Sequence, residues 1–306
     1  MNIKKQLPLL MTMAIVTFMT AAACLLNNKE IIFPEIAAIA AGGLMAPNLA
    51  WNTDKKRILL FILLCAVLGV GIVILIPLPL WAQMSLAFLL AQILYLCSGT
   101  TFAPMLSAAV LPVMLQTDTV IYIISAIVFT SLILFFRLVL ERSGIRNICE
   151  YKKTGLPETE AWMHMLLRTA LGTVLIFGAI HLNARFAVAP PLLVAFTEFS
   201  KPAAPVRKKA VKAVALIGIS AALGAACRYL FCIQLHILPL SLSAALTILL
   251  VILLMNRWSL FLPPAGAVSI LAMLIPETAV LWFPLQITLG ASAVMAMALL
   301  FFREKR

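Results

Sequence analysis

Long apolar runs alternate with short basic connections along the whole chain. Runs close to bilayer length fall at 8–27, 31–50, 58–77, 79–97, 100–116, 119–140, 161–182, 186–204, 210–232, 237–255, 259–276 and 279–301. A helix needs about 20 apolar residues to cross a membrane. Hydrophobic residues make up 64% of the 306 residues and charged residues 11%, a composition that no soluble core could bury. We therefore predict an all-α polytopic membrane protein with about twelve transmembrane helices. Runs 100–116 and 259–276 are short, which makes them candidates for re-entrant or broken segments.

The basic residues predict the orientation of the chain in the membrane. When the N-terminus is placed inside and the crossings alternate, most of the 23 Lys and Arg residues fall in connections on the inner side. Cytoplasmic connections are the ones that collect Lys and Arg. We therefore expect an integral plasma (inner) membrane protein with both termini in the cytoplasm. This distribution argues against nucleic acid as a partner, despite the net charge of +12.

An internal repeat divides the chain into halves. The one long polar connection, Glu141–Glu160, separates six apolar runs from six others. Residues 45–69 align with residues 200–224 at a constant offset, and after the ninth run the offset grows by five residues. The aligned pairs are Pro47 with Pro202, Gly69 with Gly224, Pro79 with Pro239, and Pro104 with Pro264. We expect two parallel six-helix repeats, residues 1–140 and 161–306, joined by a cytoplasmic linker at 141–160.

Prolines inside the apolar runs are the first candidates for a substrate site. A proline frees a backbone carbonyl, and transporters place such helix breaks where backbone groups meet the substrate. Pro263, Pro264 and Gly266 lie in one such stretch and Pro104 in another. The alternative is an ordinary helix entry, since proline suits the first helical position.

Hydroxyl groups flank the Pro104 stretch. Thr101 and Ser107 stand on either side of the proline in a segment without charge. Such hydroxyls either coordinate a ligand at the helix break or stabilise packing between helices. Both interpretations stay open.

Ionisable residues within the runs are the second set of candidates, because charge at membrane depth is costly and often functional. Arg168 is the best candidate for binding an anion if it faces the interior; the alternative is an anchor that reaches the headgroups. His164 shares its helix face and is a candidate for proton coupling. Glu198 is the candidate proton carrier, with Lys201 three residues later as its partner or as half of a structural ion pair. For Glu35 we predict a helix-capping role, because an acidic residue in the first turn interacts favourably with the helix dipole; a proton site is the alternative.

Two stretches of the second half resemble a known family. "PPLLVAFTEFSKPAAPVRKKAVKAVALIGISAALGA" and "NRWSLFLPPAGAVSILAML" are similar to the HPP family of integral membrane proteins over about Phe186 to Pro276. Residues 263–267 match the family's Pro-Pro-Ala-Gly-Ala motif, whereas Leu262 stands where the family has histidine. The resemblance implies a nitrite-transporter-like protein. The six-helix layout is also similar to fusaric-acid-resistance and aromatic-acid exporters.

Three functions follow from these features. The first is a secondary transporter for a small anion, nitrite-like or a small organic acid, with proton coupling. The second is an exporter of aromatic or amphipathic organic acids, and the third is a non-transporting membrane scaffold. We expect no enzyme, cofactor or metal site, because no catalytic or ligand motif is present. The expected partners are the lipid bilayer and a small-molecule or ionic substrate, and a homo-oligomer stays open.

The three functions predict different interiors. A path for a small inorganic anion predicts a narrow polar passage around Pro264 and Arg168. An exporter of aromatic acids predicts a wider apolar cavity. A scaffold predicts a sealed interior in which Lys201 neutralises Glu198.

Overall fold

The predicted all-α architecture is confirmed. The computed structural model describes residues 3–46, 48–148, 150–152, 155 and 157–303, so Pro47 of the predicted repeat lies outside the described residues. Within them the α-helices, in chain order, are α1 (Ile3–Leu25), α2 (Glu35–Ala40), α3 (Lys55–Leu75), α4 (Leu80–Cys97), α5 (Met105–Leu115), α6 (Val120–Arg142), α7 (Thr159–His181), α8 (Pro190–Phe199), α9 (Ala210–Cys227), α10 (Leu240–Trp258), α11 (Pro263–Leu271) and α12 (Phe283–Phe301). No strand occurs in these ranges.

Eight of these helices are long and apolar enough to cross a membrane: α1, α3, α4, α6, α7, α9, α10 and α12. The first turns of α3 and α9 and the last turns of α4, α6, α10 and α12 meet at one end, which we call the basic end. Contacts that join these turns include the ion pair of Lys55 with Glu141 and the Arg57 guanidinium bonded to the Ser98 carbonyl. The other end is called the far end.

At four runs the α-helix is too short to cross: runs 100–116 and 259–276 are broken, as their length suggested, and runs 31–50 and 186–204 differ from the predicted crossings. Helix α2 has 6 residues and continues as one π turn at Ala41–Met45, while α5, α8 and α11 have 11, 10 and 9 residues. The rest of each run is not α-helical, and a proline at or just before the first position sets where each short helix begins. Hydropathy alone does not separate such a segment from a full crossing.

The short helices form the centre of the molecule. They pack in a row in the order α2, α11, α8, α5, surrounded by the long helices. Every residue of the four is buried except Leu115 and Glu198. Glu198 is therefore the one charged side chain of the row that reaches open space.

Helix pairings occur twice, once for each half of the chain. Helix α3 packs against α5 as α9 packs against α11, and α4 packs against α7 as α10 packs against α1. A Cβ atom at Gly69 would lie 2.2 Å from the carbonyl oxygen of Ala109, and one at Gly224 would lie 2.2 Å from that of Ser269. Glycine permits the closest backbone approach in both places.

Buried arginines hold the basic end together. Fully buried Arg137 donates to the carbonyl oxygens of Gly43 and Asn147, each at 2.7 Å, and to Glu141 at 2.8 Å. Arg146 donates to two further carbonyls at the end of the π turn, and burial, together with the nearby charge of Arg137, lowers the pKa of its guanidinium. The carbonyls at a helix end need such donors. These two arginines therefore stabilise the fold at the basic end.

Candidate functional site

A cavity of about 560 Å³ opens among the non-helical segments at the basic end. Most of its wall is apolar and comes from Ala46, Ala50, Trp51, Ala204, Pro205, Val206, Leu260, Phe261, Leu262 and Pro263. Its charged groups are Glu198, Lys201 and Lys209, with hydroxyls from Thr101 and Ser259. Two cationic groups and one carboxyl therefore face a largely apolar space.

The short helices place these residues. Helix α8 ends directly after Glu198, so its last turn presents the carboxyl to the cavity, and Lys201 follows in the next turn. Thr101 lies just before α5 and joins two walls: its Oγ1 accepts the Asn52 N–H at 2.8 Å, and its own N–H donates to the Asn52 carbonyl at 3.2 Å. Pro263, the first residue of α11, forms part of the wall.

Trp51 holds the Glu198 carboxyl. Its indole Nε1–H donates to Glu198 Oε1 at 3.4 Å, and its ring packs edge-on against Phe102 with centroids 5.2 Å apart. A Cβ atom at Gly42 would lie 2.2 Å from the indole, so only glycine leaves room for the ring. The indole is therefore fixed in position, and it orients the carboxyl.

Lys201 does not form a close ion pair with Glu198. Among the ion pairs of the described residues, none joins these two groups within 4.0 Å, although they interact electrostatically. The Lys201 Nζ instead lies 5.7 Å from the centroid of the Tyr95 ring. The ammonium interacts with the Tyr95 hydroxyl and, because it has three N–H donors, can also meet an anion from the cavity.

Arg168 faces the interior of the bundle and is 8% exposed, so it is not a headgroup anchor. Its Nη1 donates to Gln92 Oε1 at 2.8 Å, and Gln92 Nε2 donates to Thr197 Oγ1 at 2.6 Å. The Nε of Arg168 has no hydrogen-bond partner. A buried guanidinium with a free donor retains capacity to bind an acceptor.

Tyr95 connects Arg168 with the cavity. It interacts electrostatically with Arg168 on one side and with Lys201 on the other. A polar row therefore runs from Glu198 through Lys201 and Tyr95 to Arg168, into the interface of α4, α7 and α8. Tyr95 and Gln92 were not among the predicted site residues. Their spacing of three residues on an apolar helix is the signal that indicates a shared polar face.

The other predicted site residues lie elsewhere. His164 packs against the Phe302 ring, with centroids 5.6 Å apart, and its Nε2 is 4.0 Å from Glu160. Pro104 and Ser107 are buried at α5. Gly266 faces Ala37 of α2, and neither it nor Pro264 lines the cavity.

The start of α11 has few donors for an anion. Pro263 and Pro264 have no N–H, and the Ala265 N–H already donates to the Leu262 carbonyl at 3.0 Å. The expectation that backbone amides of this stretch face a substrate therefore has little support in the geometry. The cationic side chains of the cavity are better placed for that role.

No known protein family, curated protein or solved structure matches this chain. A functional proposal for this chain therefore rests on the cavity and on the polar row beside it.

Proposed function

We propose that the protein is a secondary transporter for a small organic anion and that the cavity at the basic end is its binding site. The observation that carries this proposal is the presence of Lys201 and Lys209, with the Glu198 carboxyl, on a largely apolar wall around a space of about 560 Å³. Small-molecule sites are mostly apolar clefts of ~300–1,000 Å³ with a few charged groups that fix orientation. The ammonium groups bind the acidic group, and Trp51 and Phe261 contact the apolar part.

The width and lining of the cavity favour an organic substrate over an inorganic one. A nitrite-like ion would be expected in a narrow polar passage around Pro264 and Arg168, whereas the open space lies at Glu198 and Lys201. The same lining favours aromatic or amphipathic acids, so export of such acids is the second candidate. One observation favours a small inorganic anion instead: the buried Arg168 Nε has no hydrogen-bond partner and could donate to such an ion.

Glu198 is the proposed proton carrier of the cycle. Its carboxyl faces the cavity, accepts one hydrogen bond from Trp51 and has Lys201 nearby. An anion that approaches Lys201 competes with this carboxyl for the ammonium, so protonation of Glu198 favours anion binding. Such competition couples proton and anion in the same space.

The architecture that goes with this proposal is a pair of parallel repeats, residues 1–140 and 161–306, each with four long and two short helices. The equivalent contacts of Gly69 and Gly224 and the recurring helix pairings support it. The basic end would face the cytoplasm of a cell with this protein in its plasma (inner) membrane. Membership of the HPP family is part of the same hypothesis and rests on the Pro-Pro-Ala-Gly-Ala motif.

Uptake by proteoliposomes tests the role of the cavity. We expect saturable uptake of aromatic carboxylates and sulfonates, and Lys201→Ala raises KM about ten-fold or more, because a hydrogen bond to a charged group contributes about 1.5–3 kcal/mol. The control is Lys208→Ala, which removes an exposed charge of the same loop outside the cavity. Equal KM values for the two variants would contradict the proposed site.

A further inference from the structure

A second acidic group lies away from the cavity. Glu35, the first residue of α2, is 1% exposed, and the Ser107 side chain of α5 lies beside its carboxyl. Helices α1, α6 and α11 pack around α2. Phe33 and Tyr122 form an edge-on ring pair close by, with centroids 5.7 Å apart. The carboxyl is therefore enclosed by protein.

Neither carboxyl oxygen of Glu35 has a hydrogen-bond partner in standard geometry, and neither has the Ser107 Oγ. Three buried oxygen atoms thus stand together, and the donors nearest the carboxyl are the Ser107 hydroxyl and the Glu35 backbone N–H. An ionised carboxylate without a partner is very costly to bury, so this group requires a proton or a cation. Glu35 lies in the first turn of α2, as the capping role that the sequence favoured requires, but no hydrogen bond in standard geometry reaches its carboxyl oxygens.

Among the side chains that the structure describes, no charged group of the elements packed around Glu35 compensates it. The titratable group near it is Tyr122 of α6, whose hydroxyl donates to the Ala108 carbonyl at 3.1 Å and which also interacts with Cys65 of α3. Helices α5 and α11 contain no titratable residue.

The charged residues of α1 and α6 lie at other positions. Helix α1 has Lys4 and Lys5 in its first turn and Cys24 in its last. The charged residues of α6 are at the basic end, where Arg137 bonds to Glu141 and to the carbonyl of Gly43 beyond α2. No salt bridge to Glu35 occurs among the described residues.

We propose that Glu35 and Ser107 form a proton-binding site. The carboxylate takes up one proton from water, and the resulting O–H donates to Ser107 Oγ, which satisfies both groups and removes the buried charge. The site is separate from the cavity and does not depend on what the cavity binds. In a transporter it provides a place for a coupled proton in addition to Glu198.

The second half of the chain lacks this site. At the offsets of the sequence repeat, Pro190 stands at the position of Glu35 and Ala267 at the position of Ser107. One chain therefore has one such site, and a Glu198→Gln background for all samples leaves the measurement a single buried carboxyl to follow.

Infrared difference spectroscopy of the full-length protein in liposomes tests the proposal directly. A protonated buried carboxyl has a C=O stretch that shifts in heavy water and disappears when the proton is lost. We expect this band in the Glu198→Gln protein at neutral pH and its loss at higher pH. Glu35→Gln removes the band, whereas Glu277→Gln, which alters an exposed acid, keeps it. Ser107→Ala keeps the band and moves it to higher frequency, because the hydrogen bond from the carboxyl is gone.

Three outcomes would overturn the proposal. The first is a spectrum of the Glu198→Gln protein without a titrating carboxyl band, which needs no further variant to fold. The second is a band that Glu35→Gln leaves in place. The third is a band that is absent in sodium and appears only after its removal, which would make the three oxygens a cation site. None of these readouts involves transport, so the result stands apart from the cavity's function.

Discussion

Alanine at Gly69 tests the close packing of α3 on α5. The new Cβ would stand 2.2 Å from the Ala109 carbonyl oxygen, whereas real contacts of this kind essentially never fall under 3.0 Å. Helix α5 would have to retreat by about 1 Å, and overpacking of this type costs ~1–3 kcal/mol. The gain in helix propensity from Gly to Ala offsets up to about 1 kcal/mol. We expect a net loss of about 1–2 kcal/mol in the free energy of unfolding.

The assay for this prediction is unfolding in detergent, followed by circular dichroism during titration with a denaturant. Gly71→Ala is the matched control, because it lies on the same helix and its Cβ would meet nothing within 4 Å. We expect Gly71→Ala to be as stable as the wild type or slightly more stable. Gly224→Ala should lose about as much as Gly69→Ala, since the contact is equivalent. Wild-type stability of Gly69→Ala would refute the packing.

Three further predictions concern the basic end and the polar row. Gln92→Leu leaves a buried guanidinium without its acceptor, so the free energy of unfolding should fall by about 1.5–3 kcal/mol; an unchanged denaturation midpoint would contradict the network. Arg137→Gln should cost about 3–5 kcal/mol in the same titration, whereas Arg142→Gln, at an exposed position, should cost little; equal losses would exclude a structural role. Gly42→Ala should displace Trp51 and increase its quenching by aqueous acrylamide, measured with the other tryptophans replaced by phenylalanine, and unchanged quenching would contradict the contact.

The sequence predicted the fold class and the centres of the helical segments. It indicated broken segments at runs 100–116 and 259–276 but not at runs 31–50 and 186–204, because a short buried helix followed by extended chain is as apolar as a full crossing. Prolines were the available signal: Pro34, Pro104, Pro190 and Pro263 each stand at or next to the start of a short helix. The apolar content of a run indicates that it is buried, whereas the position of its proline indicates where the helix begins.

The candidate site was predictable in part. The sequence singled out Glu198, Lys201, Thr101 and Pro263, and all four line one cavity. Trp51 was missed because an aromatic residue near the end of an apolar run is as typical of an interface anchor as of a ligand contact.

The pairing of Ser107 with Glu35 could not be predicted either. The two residues lie on separate short helices, and only the tertiary packing brings them together. The sequence placed Ser107 with the substrate, on the strength of its nearness to Pro104. Spacing along the chain does not indicate such contacts across helices.

The most direct test of the central claim is uptake of an aromatic anion compared with nitrite. Benzenesulfonate is suitable because it stays charged and does not cross bilayers as a neutral acid. Proteoliposomes with the wild-type protein should take it up saturably and faster than empty liposomes, and should take up nitrite no faster than empty liposomes do. Uptake of nitrite without benzenesulfonate, or of neither anion, would contradict a transporter for small organic anions.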